Sequence, residues 1–241
     1  MTLAATALPA ELPPAFLGVQ HSLTGKLWRD RLDARGAARA LAIAQRHQLP
    51  EMLARVLAGR DVEIDAVPDF LDPTIRKLMP DPYTVTQMET AAKRIADAAA
   101  GAEKVAIFGD YDVDGATSAA LPAWHLRHCG LDPLIHIPDR LFEGYGPNTE
   151  AVRALAAKGA TLLITVDCGT TSIEPLAEAK RLGMSVVVID HHQAGDVLPE
   201  VDALVNPNRP DDISGLGHLA AVGLTLVTLV AVNREIGRAH V

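Results

Sequence analysis

Three carboxylates alternate across five positions in Gly109-Asp110-Tyr111-Asp112-Val113-Asp114-Gly115, directly after the apolar run Val105-Ala106-Ile107-Phe108. Crowded carboxylates raise each other's pKa and repel, and a bound cation removes that cost. Two more apolar runs end in similar chemistry: residues 162–166 lead into Asp167-Cys168-Gly169, and residues 186–189 into Asp190-His191-His192. One acidic turn alone reads equally well as a solvated loop. Three successive strand ends of this kind point to a metal site. Carboxylate oxygens suit Mg²⁺ and Mn²⁺, and an added imidazole favours Mn²⁺ or a heavier transition ion. Cysteine-rich zinc spacing is absent, since the only cysteines are Cys129 and Cys168.

Such groups need a rigid frame, and the chain supplies one by alternation. Strand-like runs at 105–108, 134–137, 162–166, 186–189 and 203–205 are separated by helical patterns at 116–129, 149–158 and 174–182. This is βαβ order, with the continuous apolar runs of parallel strands buried on both faces. The expected fold is α/β: a doubly wound, mostly parallel five-stranded sheet with its acids at the carboxyl ends of the strands. Gly109 and Gly115 are expected to let the acidic turn bend tightly at both ends.

Ahead of the sheet, residues 1–24 read as a loose leader. Helical spacing follows from 25 to 59 (Leu41, Ile43, Ala44, then Met52, Leu53, Val56, Leu57), interrupted by Pro50. A proline-bearing connector covers 61–82, and Thr86 to Glu89 fits a capping box opening a helix to about 100. The expected boundaries are therefore 1–82 for the helical N-terminal region and 83–235 for the sheet domain. His21 and His47 read as surface residues. Residues 219–232 are almost wholly apolar but too few to span a bilayer, and so read as a buried helix. The last six residues, Ile236 to Val241, are what a common sequencing adapter encodes when translated in frame. They are expected to be a non-native read-through tail.

The three motifs, in this order, resemble those of the DHH phosphoesterase superfamily. The D-Y-D-V-D-G form, with Pro138-Asp139-Arg140 and Gly144-Tyr145-Gly146 before the second motif, is similar to the superfamily's single-strand-specific 5′→3′ DNA exonucleases. The resemblance implies that Asp112 and Asp114 are metal ligands, that Asp167 bridges two ions and that His191 is a further ligand. His192 would face the scissile phosphate, with Asp110 and Asp190 as supporting carboxylates. Arg140, Tyr145, Gly146 and His218 are the implied substrate contacts, although Arg140 also reads as a surface arginine and His218 as a helix-start residue. The implied cofactor is Mn²⁺ or Mg²⁺ in a two-metal site, the implied partner single-stranded DNA, and the implied role hydrolysis of phosphodiesters in recombination and repair.

Two departures from the family pattern stand out. Many relatives have a histidine where this chain has Phe108, so the ion nearest Asp112 is expected to be held more weakly. The fourth motif, with its ligand aspartate, is absent, and no aspartate follows Asp212. An incomplete site and missing C-terminal domains are expected on that ground. A DHH-type phosphodiesterase for short oligonucleotides or cyclic dinucleotides, and a non-catalytic metal- or nucleotide-binding fragment, stay open as alternatives.

Composition limits the partners. The chain has 241 residues, 49% hydrophobic, with 4% aromatic residues and a formal net charge of −8. That charge is opposite to the basic footprint of a nucleic-acid-binding domain, so the electrostatic grip is expected from elsewhere. Two cysteines give no disulfide framework, and the start carries Glu11 and no basic region, so a reduced cytoplasmic protein without a membrane span is expected.

Overall fold

The computed structural model describes residues 15–239. They fall into two compact units divided between Met79 and Pro80. Residues 1–14 of the expected leader lie outside the described residues. The part of the leader that is described is pinned: Phe16 N–H donates to the Trp28 carbonyl, and Trp28 N–H to that of Val19.

In the first unit, α1 (Ala34–His47) starts where the Asp33 carboxylate accepts the Gly36 N–H at 2.7 Å, a side-chain cap for an otherwise orphan donor. It ends at Gln48 in the left-handed region, and Pro50 precedes α2 (Glu51–Gly59). The two helices bury Ala40, Ile43, Ala54 and Leu57 between them, closed off by Val62 and Val67. The stretch expected as a connector carries two short helices, α3 (Val67–Leu71) and α4 (Ile75–Leu78). His47 is not free at the surface, because a ring nitrogen lies 2.6 Å from the Ile64 carbonyl.

The second unit holds the expected sheet. Strands β1 (Val105–Phe108), β2 (Leu134–His136), β3 (Leu162–Val166), β4 (Ser185–Ile189) and β5 (Ala203–Val205) pair in the order β2-β1-β3-β4-β5. All four pairings are parallel. Five helices follow in chain order: α5 (Met88–Ala100), α6 (Val113–His128), α7 (Thr149–Ala157), α8 (Ile173–Arg181) and α9 (Ala221–Ala239). Phe108, Leu163, Val186 and Val188 face α7 and α8 through Val152, Leu155, Leu176 and Ala179. Helix α9 packs against both α5 and α6, and α5, α6 and α9 reach β5, β1 and β4 respectively. The order reverses between β1 and β3, and α/β sheets bind ligands outside the carboxyl ends of strands at such a switch point.

Three local expectations need correcting. Thr86 and Glu89 do not form a capping box: Gln87 precedes α5 in the left-handed region without a side-chain cap, and Thr86 N–H donates instead to Asp212. Helix α6 begins at Val113 rather than 116, because Asp112 accepts the Gly115 N–H at 2.9 Å and caps it. Gly109 and Gly115 are not among the glycines with positive φ. Gly115 is needed for closeness instead, since a Cβ there would sit 2.5 Å from the Asp110 Cβ.

The apolar C-terminal stretch forms α9 and buries Leu224, Val227 and Val232. The suspected tail continues this helix to Ala239, while His240 and Val241 lie outside the described residues. No described helix is long and apolar enough to cross a membrane.

Candidate metal centre

The strands deliver their acids to one edge. Asp110 stands just beyond β1, Asp167 beyond β3 and Asp190 beyond β4, all three buried. Donor atoms of Asp110, Asp112 and Asp167 lie within 4.8 Å of one another, and so do those of Asp167, His191 and His192. Asp167 belongs to both groups. Its backbone is held at φ 59°, a region that costs most L-residues energy and that Asp and Asn tolerate best. Its N–H donates to the Ile189 carbonyl, so the strained turn is tied to the adjacent strand.

The arrangement leaves lone pairs facing each other. His191 Nδ1 lies 3.0 Å from the Leu219 carbonyl, and a carbonyl can only accept, so in the neutral ring the proton sits on Nδ1. Nε2 then presents a lone pair, 3.2 Å from Asp167 Oδ1. That oxygen is buried and has no hydrogen-bond donor, as is Asp110 Oδ1. Two acceptors at this separation repel unless a proton or a cation lies between or beside them. The donor set therefore fits a divalent ion, and the carbonyl that fixes the opposite ring nitrogen is the usual outer support of a metal-binding histidine.

Electrostatics agree. Burial pushes the Asp167 carboxyl up, and the charges of Asp114 and Asp112 add to this, from an ordinary 3.8 to about 7. Asp110 is raised by burial as well, with the neighbouring Asp112 charge contributing. Asp190 goes the other way. Burial would raise it, but hydrogen bonds from His192 and Thr170 hold it at about 2. Its Oδ1 lies 2.7 Å from His192 Nδ1 and its Oδ2 accepts the Thr170 N–H at 3.0 Å. The same contact raises His192 above its ordinary value, so the Asp190 carboxylate favours the protonated form of the ring at the rim.

Asp114 is engaged differently from its neighbours. Its two oxygens accept the N–H groups of Ala221 and Val222, each at 2.8 Å, so it caps α9. It lies 3.7 Å from His191 Nε2 and outside both donor groups. Tyr145 donates to the Asp167 carbonyl at 3.1 Å, and its oxygen lies 3.1 Å from His192 Nδ1. Burial raises its phenol well above the ordinary range. Gly146 is buried beneath it with φ 76°. Arg140 is exposed, with its guanidinium 5.1 Å from the centre of the Tyr111 ring. His218 is exposed in the turn before α9 and makes no contact with the acids. Phe108 is fully buried with its ring 4.9 Å from that of His136.

Sequence reasoning missed a set of supporting amides. Asn206 is fully buried and donates to Thr170 and to the His192 carbonyl, at 2.8 and 2.9 Å. The Asn208 amide donates to the carbonyls of His191 and Gly217. Gly217 has no room for a Cβ, which would overlap Asn208 Oδ1. Asn206-Pro207-Asn208 carried a signal only as a turn.

Several solved and sequenced proteins are similar to this chain. The single-stranded-DNA-specific exonuclease RecJ of Bacillus subtilis is 41% identical over 144 residues, 60% of this chain and 18% of that protein. RecJ of Escherichia coli is 33% identical over 187 residues, 77% of this chain and 32% of that protein. The crystal structure of exonuclease RecJ bound to manganese matches with a TM-score of 0.58 at 31% identity, covering 64% of this chain and 39% of that one. RecJ from Thermus thermophilus in complex with Mn²⁺ matches with a TM-score of 0.66 at 25% identity, over 83% of this chain and 28% of that one. The chain thus spans about a third or less of the curated relatives' length. The family model for the DHH family, N-terminal domain, matches residues 104–237, and with more than half its length so matched, the chain belongs to the DHH family.

Proposed function

We propose that this chain is the metal-binding part of a single-strand-specific 5′→3′ DNA exonuclease that hydrolyses phosphodiesters in recombination and repair. One observation carries the reading: Asp167 Oδ1, buried and without a donor, faces His191 Nε2 at 3.2 Å, at the switch point of a sheet whose similar structures contain Mn²⁺.

Asp167 would hold and bridge two divalent ions, Mn²⁺ or Mg²⁺, with His191, Asp112 and Asp110 completing the donors that lie together and Asp114 the ligand least free to turn. When bound, such ions lower the pKa of a water and neutralise charge on the scissile phosphate. The protein's own groups do the rest. His192, its protonated form favoured by Asp190 and its ring oriented by Tyr145, would hold a phosphate oxygen and keep a proton available to the leaving oxygen. Arg140, with its planar fork, would pair bidentately with a second phosphate, as in charge-assisted contacts elsewhere. Asn206 and Asn208 would keep the two histidines at fixed heights by holding their carbonyls. Tyr145 and Gly146 would form the wall along the strand, and His218 a further phosphate contact.

The remaining length of the relatives would supply the domains that close the cleft, and the protein would work in the cytoplasm, where two free cysteines stay reduced. The test is Mn²⁺ calorimetry together with mononucleotide release from 5′-phosphorylated single-stranded DNA, for the 241-residue chain and Asp167→Asn. Mn²⁺ binding by the parent and not by the variant is expected. Equal binding by both would remove the basis of the reading.

A further inference from the structure

The metal-bearing unit does not attract a polyanion by its net charge, because residues 80–241 carry the chain's acidic excess: 12 Lys and Arg against 21 Asp and Glu. The first unit is nearly balanced over its described residues, ten Lys and Arg against eight acids in 15–79, and its basic groups concentrate in the earlier part. Residues 26–60 contain eight Lys and Arg against three acids, Asp30, Asp33 and Glu51. Much of this charge lines two adjoining clefts beside α1 and α2. Arg31, Arg35 and Arg39 border one of about 420 Å³, and Arg31, Arg55 and Arg60 border the next, about 320 Å³.

Five arginines therefore line two clefts that share Arg31, Leu32 and Gly59, but not all are available. Arg39 donates to Asp61 at 3.3 Å and Arg55 to Asp30 at 2.6 Å. Arg31, Arg35 and Arg60 make no ion pair and no side-chain hydrogen bond among the described residues, and all three are exposed. The stem of Arg31 runs over Gly59, its Cδ 3.6 Å from where a Cβ there would stand. Arg35 and Arg39 stand one helical turn apart on α1 and so share a face. Two acids line the first cleft: Asp33 accepts the Gly36 N–H and Asp61 accepts from Arg39. The α1 terminus itself is thus capped, and the binding capacity lies in the arginine side chains.

An aromatic surface adjoins this cluster in the chain. Trp28 is 48% exposed, although its backbone is anchored at both N–H and carbonyl to Val19 and Phe16. An indole held on a fixed backbone and left open to solvent, three residues before Arg31, is a stacking platform. In a chain with only two tryptophans, an anchored and exposed indole close in sequence to unpaired arginines is the feature that separates a nucleic-acid surface from a merely solvated basic face.

We infer that the Arg31–Arg35–Arg60 cleft with Trp28 is a second single-stranded nucleic-acid contact, in which the arginines take successive backbone phosphates and the indole stacks on a base. The inference rests on the phosphodiesterase reading for its ligand class, and it places the electrostatic grip that the acidic metal unit lacks within the same chain. It requires no base-specific hydrogen bond. Binding is therefore tolerant of sequence, selective for unpaired strands and strongly salt-dependent.

The test is fluorescence anisotropy of a labelled oligothymidylate with the 241-residue chain in EDTA, at several salt concentrations. EDTA silences the metal centre, so a failed proposal here and a failed metal reading are told apart by this titration and by Mn²⁺ calorimetry. The triple substitution Arg31→Gln, Arg35→Gln, Arg60→Gln is expected to flatten the slope of log affinity against log salt by about two, at about 0.7 per phosphate lost on a single strand. Lysine at the same three positions keeps the charge and is expected to restore the slope. Trp28→Ala is expected to weaken binding by about fivefold to a hundredfold with the slope unchanged. Circular dichroism of each variant checks that α1 and α2 persist. An undiminished slope in the glutamine variant overturns the proposal, as does absence of binding by the parent. So does equal displacement by polyglutamate combined with indifference to Trp28→Ala, which would make the cleft a site for acidic peptides.

Discussion

Replacing Asp167 by asparagine should stabilise the metal-free protein while abolishing its response to Mn²⁺. The carboxyl ionises at about 7 in the folded chain instead of 3.8, mainly through burial and then through the charges of Asp114 and Asp112. Between those two values the folded state holds a proton that the unfolded chain has already released. Stability therefore falls as pH rises from about 4 to about 7 and levels off above. The full cost, at about 1.4 kcal/mol for each pH unit between 3.8 and 7, is at most about 4 kcal/mol. Asparagine keeps the shape, tolerates the left-handed backbone at φ 59°, and carries no charge to bury. In EDTA at pH 8.5 the variant should melt higher by several degrees, and at most by about 15 °C at about 2–4 °C per kcal/mol for a unit of this size. Near pH 4 the two melting curves should nearly coincide. Adding Mn²⁺ at a hundred times its dissociation constant should then raise the parent by about 2.7 kcal/mol and leave the variant where it was. An Asp167→Asn variant that melts lower than the parent at pH 8.5, or by a difference that does not change with pH, would refute the account of Asp167 as a repelled carboxylate awaiting a cation.

Other perturbations follow from the same geometry. Mn²⁺ affinity of the parent, measured by calorimetry, should fall as pH drops below about 7, because the Asp167 proton must leave before the ion binds. Gly217→Ala should drive a methyl group into Asn208 and release the His191 carbonyl, lowering Mn²⁺ affinity about 10–100-fold by the same titration. Asp190→Asn should move the His192 titration, followed by NMR, down toward its ordinary value, since the carboxylate contact is the first cause of its rise. Phe108→Ala should cost about 3–5 kcal/mol in urea unfolding, because the ring is fully buried beneath the sheet.

The frame of this site is legible in the chain because parallel strands buried on both faces read as unbroken apolar runs. The runs 105–108, 162–166 and 186–189 each end on the residue before or two before the acid that matters, so strand ends and ligands could be read together. Helix α6 was harder to place. Asp112 has two uses in one turn, capping α6 through Oδ1 and facing Asp110 and Asp167, and the sequence pattern suggests only the second. The failed capping box has a similar cause. Thr86 and Glu89 have the right spacing, but Asp212, distant in the chain, takes the Thr86 N–H. Tertiary partners override a local preference of about 1 kcal/mol.

What could not be read is the shell that holds the ligands in place, and it is nearly all backbone and amide. The Leu219 carbonyl that sets the His191 tautomer has no side-chain signature, and neither do the Ala221 and Val222 N–H groups on Asp114. These contacts come from the segment entering α9, more than a hundred residues beyond the acidic turn they steady. The segment entering α9 supplies two N–H donors to Asp114 and sets the tautomer of His191, whereas Asp110, Asp167 and Asp190 stand at the ends of strands. A chain cut before Leu219 should therefore keep the sheet, as seen by circular dichroism, and lose the His191 half of the metal centre. Retention of full Mn²⁺ affinity by that shortened chain would show that the Leu219 and α9 contacts do not order the site.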